Sequence, residues 1–258
     1  MKLGADSHLY YWTLTSVVVM FDDGDDNQAS TPKSPKTPKT PRTPKTPKTP
    51  STPKAEEEDT PELYRMLLYW QLCAVDNEDA QLRHYIDAYT QLSGLVAGMG
   101  LLFSFVVRDM NTKLRRLETM AGEGTVSRMI KTEMRQGKER AGDSGTVALI
   151  RLHRAMDFVL QILHALCTHP DDTKMGPVIR PLYDKSLGLH EPWLVNSAAH
   201  AAFLTLRKRG QLVDQFRSTL TKQQALNVAE QAVKQGRKIY DIVQHIYVKN
   251  KLHDIPQY

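Results

Sequence analysis

The chain has 258 residues, of which 41% are hydrophobic, and a formal net charge of +5. This length suffices for one domain with a full-sized core once a polar N-terminal tail is set aside. The two cysteines, Cys73 and Cys167, have no paired or metal-ligand spacing, and the histidines form no zinc pattern. The sequence therefore suggests neither a disulfide framework nor a metal site, and it fits a reducing, cytosolic compartment. We expect no cofactor.

Near the N-terminus, residues 9–21 (LYYWTLTSVVVMF) form an apolar stretch of thirteen residues. The stretch is too short to span a bilayer, and no convincing signal-peptide cleavage site follows it. We interpret it as a terminal segment, with contact to a membrane surface as one hypothesis for its role.

The segment from residue 30 to 54 repeats Ser/Thr-Pro-Lys/Arg with a period near three. Such a composition buries no core, so we expect residues 1–60 to be an extended, disordered tail and residues 61–258 to be the folded domain. The repeat carries seven cations between two acidic blocks, at 22–26 and 56–59. Four roles stay open: a target of a proline-directed kinase, a polybasic strip for anionic membranes, a nucleic-acid-binding arm, and an inert spacer.

From Pro61 onwards the chain has helical periodicity almost throughout and few alternating β-branched runs. This pattern predicts an all-α domain of roughly seven or eight helices. Thr221 and Gln224 form a capping-box signal ahead of a long amphipathic stretch that runs to about Leu252.

The run at 92–107 (LSGLVAGMGLLFSFVV) is nearly all apolar or small, and we predict a buried helix rather than a transmembrane one. It leads into Asp109 and Lys113, which are four residues apart and therefore share one face of a continuing helix. A carboxylate and an ammonium group would then lie together at the end of an apolar wall. The alternative is an ordinary surface ion pair.

Residues 146–166 are predicted to form a second helix, with apolar side chains at helical spacing: Val147, Ile150, Phe158, Ile162 and Leu166. Arg151 stands inside that apolar pattern, whereas His153, Arg154 and Asp157 lie mostly on another side. A guanidinium group beside an apolar stripe is a natural fork for a phosphate or carboxylate. The alternative is that Arg151 extends its head group into solvent.

His190 precedes Pro192, Trp193 and an apolar, helix-like run from Leu194 to Leu206. Because proline suits the first turn of a helix, His190 is expected at or just before the helix start. Taken alone, a histidine at this position is more often a structural hydrogen bonder than a functional group.

Four pieces of the chain carry a family resemblance: LLFSFVVRDMNTKL (101–114), TVALIRLHRAM (146–156), YDKSLGLHEPWLV (183–195) and LHDIP (252–256). In this order and at about these separations, they resemble the glycolipid transfer protein family, and most closely its ceramide-1-phosphate transfer branch. The similarity covers roughly residues 61–258. It implies an all-α, two-layer helical sandwich of about eight helices that encloses a cavity for lipid chains.

The resemblance also implies roles for the polar residues. Asp109 is similar to the aspartate that binds the amide nitrogen and hydroxyl of the sphingoid base, and His190 to the histidine that donates to the acyl-amide carbonyl. Lys113 and Arg151 are similar to phosphate-binding residues of the ceramide-1-phosphate branch. Glycolipid-binding members have a sugar-stacking tryptophan at the position of Arg151, so an arginine there implies phosphate rather than sugar.

One position departs from the family pattern. The ceramide-1-phosphate branch has a second arginine one turn before the first, where this chain has Val147. Selectivity for a phosphomonoester is then weaker or depends on another cation, for which the candidates are Arg108, Lys138, Arg140 and Arg154.

Candidates for lining the chain cavity are Phe103, Phe105, Val106, Val147, Ile150, Phe158, Ile162, Ala199 and Phe203, and each of them is equally well explained as a plain core residue. We interpret Trp193, close to His190, as a core or pocket residue. Trp70 and Tyr69 are candidate membrane contacts.

The resulting prediction is a monomeric, non-enzymatic carrier of sphingolipid, with ceramide-1-phosphate favoured, that binds the cytosolic faces of anionic membranes transiently. No nucleophile has the spacing to a base that an enzyme would need. One alternative is a glycosphingolipid carrier or sensor. Another is a helical adaptor whose basic tail binds nucleic acid or a partner, although the folded part lacks the aromatic-basic interleaving of a nucleic-acid surface, and nucleic acid is not favoured.

Overall fold

A computed structural model of the protein describes residues 60–100 and 103–256. The helices found in these residues are α1 (Glu62–Cys73), α2 (Leu82–Ala97), α3 (Ser104–Glu118), α4 (Val126–Arg135), α5 (Gly145–Thr168), α6 (Met175–Asp184), α7 (Trp193–Leu204), α8 (Arg209–Phe216) and α9 (Lys222–Lys249). Two short strands, β1 (Ala74–Val75) and β2 (Asp79–Ala80), pair antiparallel. Short 3-10 turns are formed by Ala121–Glu123, ahead of α4, and Leu187–His190, ahead of α7.

Helix α1 illustrates how apolar spacing determines the packing. Its buried side chains recur three and four residues apart: Leu63, Met66, Leu67, Trp70 and Cys73. On a helix this spacing makes one apolar face. That face packs against α2 and α9.

The apolar run at 92–107 is not one helix, so the prediction of a continuous buried helix is wrong. Helix α2 ends at Ala97, and α3 begins at Ser104. Gly100 has a φ of 115°, a backbone conformation that residues with a side chain rarely adopt. The chain therefore turns between the two helices, and α3 packs back against α2.

The start of α5 is determined by polar groups from two elements. The Ser144 hydroxyl, at the N-cap, accepts a hydrogen bond from the Val147 amide at 3.0 Å. The carboxylate of Glu133, in the last turn of α4, accepts from the amides of Gly145 and Thr146 at 2.7 and 2.8 Å. These acceptors satisfy N–H groups that a helix start leaves unpaired, and a carboxylate there is favoured by the helix dipole.

The predicted capping box at the start of α9 is confirmed. The Thr221 hydroxyl accepts from the Gln224 amide at 3.2 Å, and the Gln224 side chain accepts from the Thr221 amide at 2.9 Å. The helix ends at Lys249, slightly before the predicted end at Leu252.

The longer helices pack in a ring, in which α1 contacts α2, α2 contacts α3, α3 contacts α5, α5 contacts α9, and α9 returns to α1. Helix α6 packs on α5, α7 on α6, and α8 on α9. The predicted all-α class is confirmed, with nine helices in the described residues. None of the described helices is both long and apolar enough to cross a membrane. The segments 9–21 and 30–54 lie outside the described residues.

Candidate functional site

Asp109 and Lys113 form an ion pair on α3, as their spacing of four residues predicts. The Lys113 side chain is only 9% exposed, and that of Asp109 is 28% exposed. Their neighbours Met110, Leu114 and Leu117 are buried. The ammonium group thus lies against the apolar interface of α3, and the pair is not the fully exposed ion pair of the alternative interpretation.

Arg151 and Arg154 lie one turn apart on α5, and both are half-buried. Arg154 donates through Nη2 to the backbone carbonyls of His253 and Ile255, at 3.1 and 2.6 Å. Burial and the positive charge of Arg151 hold the pKa of Arg154 below its usual range. The C-terminal segment therefore holds the Arg154 guanidinium group in place.

His190 ends the 3-10 turn before α7, and Pro192 is the N-cap of that helix. This is the position that the sequence predicts. Partial removal from water and the positive charge of Arg154 lower the pKa of His190. The imidazole is accordingly neutral near pH 7 and has one N–H to donate. His190 is exposed, the positive charge of Arg154 acts on it, and Arg151 lies one turn before Arg154 on α5.

The remaining residues considered for the phosphate site differ in their surroundings. Arg108 is exposed on α3, and Lys138 is exposed between α4 and α5. Val147 is 2% exposed and belongs to the core. Arg154, another of the four candidates for the additional phosphate contact, has its pKa lowered by the charge of Arg151 and itself lowers the pKa of His190.

Arg140 is bound to the C-terminal segment. Its guanidinium group donates to both carboxylate oxygens of Asp254, at 2.8 and 3.3 Å, and to the Lys251 carbonyl at 2.8 Å. Leu252 and Ile255 are buried in the core on the same segment. This segment is thus anchored by apolar contacts and by arginines from both sides of the α5 start.

An apolar cavity of about 70 Å³ lies among α1, α2, α5, α8 and α9. All of its lining residues are apolar: Leu63, Leu92, Leu95, Val96, Met99, Val159, Ile162, Leu163, Leu166, Leu212, Val213, Phe216, Ala225, Leu226 and Ala229. Val159 follows Arg151 by eight residues, which is about 12 Å along a helix. Helix α5 therefore carries cations in its N-terminal half and a cavity wall in its C-terminal half, an arrangement that suits an amphiphile.

Among the predicted lining residues, Ile162 lies on the wall of this cavity. Phe158 and Phe203 instead form an aromatic cluster with Tyr183, with ring centroids 5.3 to 6.1 Å apart. The others are buried or partly buried away from this wall: Phe103, Phe105, Val106, Val147, Ile150 and Ala199. Helical spacing identifies buried positions, but it does not separate those that face a cavity from those that fill the core.

Sequence reasoning missed the cavity residues of α1, α2, α8 and α9. Their signal in the sequence is the apolar periodicity that also marks core positions on the described helices. The cavity depends on contacts between helices that are distant in sequence, such as Leu63 in α1, Leu212 in α8 and Ala225 in α9.

The prediction that Trp193 is a core or pocket residue is wrong, because its side chain is 76% exposed. Val195, Ala199 and Phe203 form the buried face of α7. Trp193 precedes Val195 by two residues, so its side chain leaves the helix on the opposite side. Leu189, beside His190, is 72% exposed. Two large apolar side chains therefore flank His190 at the surface.

The prediction that Trp70 contacts a membrane is also wrong, because this side chain is fully buried on the apolar face of α1. Tyr69, the neighbouring candidate, is half-buried.

His153 is fully buried rather than on a polar side of α5. Its Nε2 lies 2.9 Å from the Gln244 Oε1, and its ring stacks on Tyr240 at 4.2 Å. Burial lowers the pKa of His153 to about 4. The side of α5 that looks polar in sequence is covered by α9, which the pattern of α5 alone does not reveal.

The helical fold and the polar cluster ahead of an apolar cavity are the features of a protein that holds an amphiphile. The model of the family "Glycolipid transfer protein (GLTP)" matches residues 80–218, more than half of the chain. The chain belongs to the glycolipid transfer protein family, which confirms the predicted family and its helical sandwich fold.

Named relatives and solved structures agree with this assignment. The chain is 27% identical over 210 residues to the ceramide-1-phosphate transfer protein of Danio rerio, covering 77% of this chain and 99% of that protein. It is similar to the crystal structure of apo-form mouse ceramide-1-phosphate transfer protein, with a TM-score of 0.71, 25% identity and coverage of 75% and 98% of the two chains. The human ceramide-1-phosphate transfer protein in complex with 12:0 ceramide-1-phosphate gives a TM-score of 0.69, with 25% identity and coverage of 75% and 99%. These relatives are lipid transfer proteins rather than enzymes.

Proposed function

We propose that this protein is a non-enzymatic carrier that moves ceramide-1-phosphate between membranes. The main support for this proposal is the uneven distribution of residues along α5. This helix has Arg151 and Arg154 in its N-terminal half and an apolar cavity wall in its C-terminal half. The ceramide-1-phosphate transfer proteins among its relatives support the same ligand.

The charges near the start of α5 favour a phosphate headgroup. Arg151 and Arg154 are one turn apart on α5, and Lys113 on the adjacent helix α3 adds a third cation beside the Asp109 carboxylate. A phosphomonoester carries a charge of about −1.5 to −2 at neutral pH and accepts paired hydrogen bonds from guanidinium groups. A neutral sugar headgroup offers no charge to offset these cations.

Asp109 and His190 supply the two kinds of hydrogen-bonding group that a ceramide amide needs. The Asp109 carboxylate accepts from the amide N–H and the hydroxyl, and the neutral imidazole of His190 donates to the amide carbonyl. Leaving one such group buried and unpaired costs about 1–3 kcal/mol. A glycerolipid ester has no N–H to give, so this pair selects amide-linked lipids over phosphatidic acid.

The cavity has to enlarge when lipid chains enter. Its volume of about 70 Å³ is well below the roughly 300–1,000 Å³ of ligand pockets in proteins. Two hydrocarbon chains therefore need the surrounding helices to move apart. Burial of apolar surface, at about 25 cal/mol per Å², offsets the lost helix contacts.

Trp193 and Leu189 are the proposed points of membrane contact. Both are exposed, and they flank His190, where the headgroup enters. A tryptophan suits the boundary between headgroups and acyl chains because its ring is apolar while its N–H needs a polar partner. The protein would act as a monomer on the cytosolic faces of membranes, with the nearby arginines favouring anionic surfaces.

Substitution of Asp109 tests the amide-binding part of the proposal. Asp109→Asn should lower the rate of ceramide-1-phosphate transfer between vesicles by more than tenfold, because the acceptor loses its charge. Asp143→Asn, which removes an exposed carboxylate paired with Arg116 at 3.3 Å, is the matched control and should leave transfer unchanged. Circular dichroism and urea unfolding would verify that both variants are folded. Full transfer by a folded Asp109→Asn variant would contradict the assigned role.

A further inference from the structure

The apolar cavity lies where several helices end. Its wall includes Leu63 in the first turn of α1, Met99 just beyond the end of α2, and Leu166 near the end of α5. Ala225, in the first turn of α9, lies on the same wall. This end is remote from the proposed headgroup site, because Leu166 follows Arg151 by fifteen residues on α5. The groups that close this end therefore decide how far a lipid chain can extend.

Arg209, the first residue of α8, lies at this end of the cavity. Its side chain is only 8% exposed, and its Nε donates to the Leu166 carbonyl at 2.7 Å. Leu212 and Val213, three and four residues after Arg209, line the cavity. On a helix this spacing places them on the same side as Arg209. The buried guanidinium group therefore adjoins the apolar wall that α5 and α8 share.

Ion pairs hold Arg209 in place. The carboxylate of Asp171, in the loop between α5 and α6, pairs with Arg209 and with Lys222, the first residue of α9. Hydrogen bonds from Lys222 and Arg209 hold the pKa of Asp171 below its usual range, so this carboxylate is charged at neutral pH. We call Asp171, Arg209 and Lys222 the end cluster. It joins the end of α5 to the starts of α8 and α9.

The end cluster is closely packed. The amides of Arg209 and Gly210 donate to the carbonyls of Thr173 and Asp171, both at 2.9 Å. A Cβ added at Gly210 would lie 3.2 Å from the Asp171 side chain. A hydrocarbon chain offers no hydrogen bonds, so it cannot replace the partners of a buried guanidinium group, and separating that charge from them is costly. A chain that reaches the end cluster therefore stops there.

The position of the end cluster corresponds to the reach of a membrane lipid. Arg151 and Leu166 are separated by about 22 Å along α5, at 1.5 Å per residue. The hydrocarbon core of a bilayer is about 30 Å thick, so the chains of one leaflet span about 15 Å. The ceramide amide region takes up part of the difference. Chains of ordinary length would end near the end cluster, and longer chains would meet Arg209.

We propose that Arg209, held by Asp171 and Lys222, is a specificity-determining residue that limits the length of the hydrocarbon chains this carrier accepts. The inference rests on the proposed function, because it requires lipid chains to enter the cavity. It narrows the substrate class to sphingolipids with acyl chains of ordinary length and excludes those with very long chains.

The test compares vesicle-to-vesicle transfer of ceramide-1-phosphate with a palmitoyl or a much longer lignoceroyl acyl chain by the full chain. Arg209→Met replaces the guanidinium group by a flexible apolar side chain. The expected result is a rise of at least fivefold in the ratio of lignoceroyl to palmitoyl transfer rates. Arg209→Lys keeps a cation and should restore most of the wild-type ratio.

Arg217→Met is the matched control. It removes another arginine, which follows α8, pairs with Asp214 at 3.0 Å and lies outside the cavity wall. The wild-type ratio of transfer rates should be unchanged in this variant. If Arg209→Met does not fold, Asp171→Asn makes the same test at an exposed position, because it releases Arg209 from its ion pair and should raise the ratio in the same direction.

An unchanged ratio in a folded Arg209→Met variant that still transfers the palmitoyl lipid would overturn the inference and leave the proposed function intact. An equal loss of transfer for both lipids would also overturn it, since Arg209 would then be only structural. Equal transfer of the two lipids by the wild type would show that no length limit exists. Transfer of neither by the wild type would contradict the proposed function, and the inference with it.

Discussion

At the scale of single residues, three charged groups that are largely removed from water have partners. Lys113 is paired with Asp109, the Glu133 carboxylate binds the first amides of α5, and Arg154 donates to C-terminal carbonyls. An unpaired buried charge or hydrogen-bonding group would be costly. His153, by contrast, is buried without a charge, as a neutral ring against Tyr240 and Gln244.

The stability of the protein should therefore fall in mild acid because of His153. Its pKa is about 4 in the folded protein and about 6.5 when unfolded, so between these values the unfolded chain binds a proton that the folded chain does not. The free energy of unfolding should rise with pH across this interval, by roughly 3 kcal/mol from this residue, and level off above pH 6.5. Urea unfolding of wild-type and His153→Phe protein at pH 7 and pH 4.5 measures this effect. An identical pH dependence in the two proteins would show that another group is responsible.

Several site residues were accessible to sequence reasoning because their signal is local. The four-residue spacing of Asp109 and Lys113 predicts their ion pair, and Pro192 predicts that His190 precedes a helix start. The burial of His153 and the exposure of Trp193 were not accessible. Each depends on which face of a helix is covered by a neighbour that is distant in sequence.

At the scale of elements, α5 organises the molecule. Its start is capped by Ser144 and Glu133, it contacts α3, α6 and α9, and it carries both the arginines and one wall of the cavity. The turn that carries His190 is positioned by α6 and α7. These two helices meet at Gly176, where an added Cβ would lie 2.3 Å from the Phe203 carbonyl oxygen.

Gly176→Ala should destabilise the protein by about 1–3 kcal/mol, because a backbone atom of α7 would have to move. Gly122→Ala is the control, since no atom lies within 4 Å of a Cβ at that position. The midpoint of urea unfolding distinguishes the two variants. Equal stability of Gly176→Ala and the wild type would mean that α6 and α7 are less closely held than the structure shows.

Helix boundaries were predictable where the sequence contains a clear capping signal. Thr221 and Gln224 predicted the start of α9 correctly, since a capping box is a local hydrogen-bond pattern. The run at 92–107 was misread as one helix because its uniform apolar character obscured the turn at Gly100, whose positive φ becomes visible only in three dimensions.

At the scale of the whole molecule, polar and apolar features are separated along α5. The cations and His190 lie toward one end with Trp193 and Leu189 exposed beside them, and the cavity lies toward the other end. This separation orients an amphiphile, with its headgroup at the surface and its chains inside.

If the surface around His190 contacts membranes, Trp193 should contribute to vesicle binding. Trp193→Ala should weaken sedimentation with anionic vesicles several-fold and leave the free energy of unfolding unchanged, because the side chain makes little contact with the core. Leu204→Ala, at the other end of α7 and 83% exposed, is the matched apolar control. Equal vesicle binding by Trp193→Ala and the wild type would place the membrane-contacting surface elsewhere.

The most direct test of the proposed function is vesicle-to-vesicle transfer of fluorescent ceramide-1-phosphate, glucosylceramide and phosphatidic acid by the full chain. The arginines at the start of α5 and the Asp109–His190 amide site predict rapid transfer of ceramide-1-phosphate and slow transfer of the other two lipids. Preferential transfer of glucosylceramide would contradict the phosphate assignment, equal transfer of phosphatidic acid would contradict amide recognition, and transfer of none would contradict the carrier function itself.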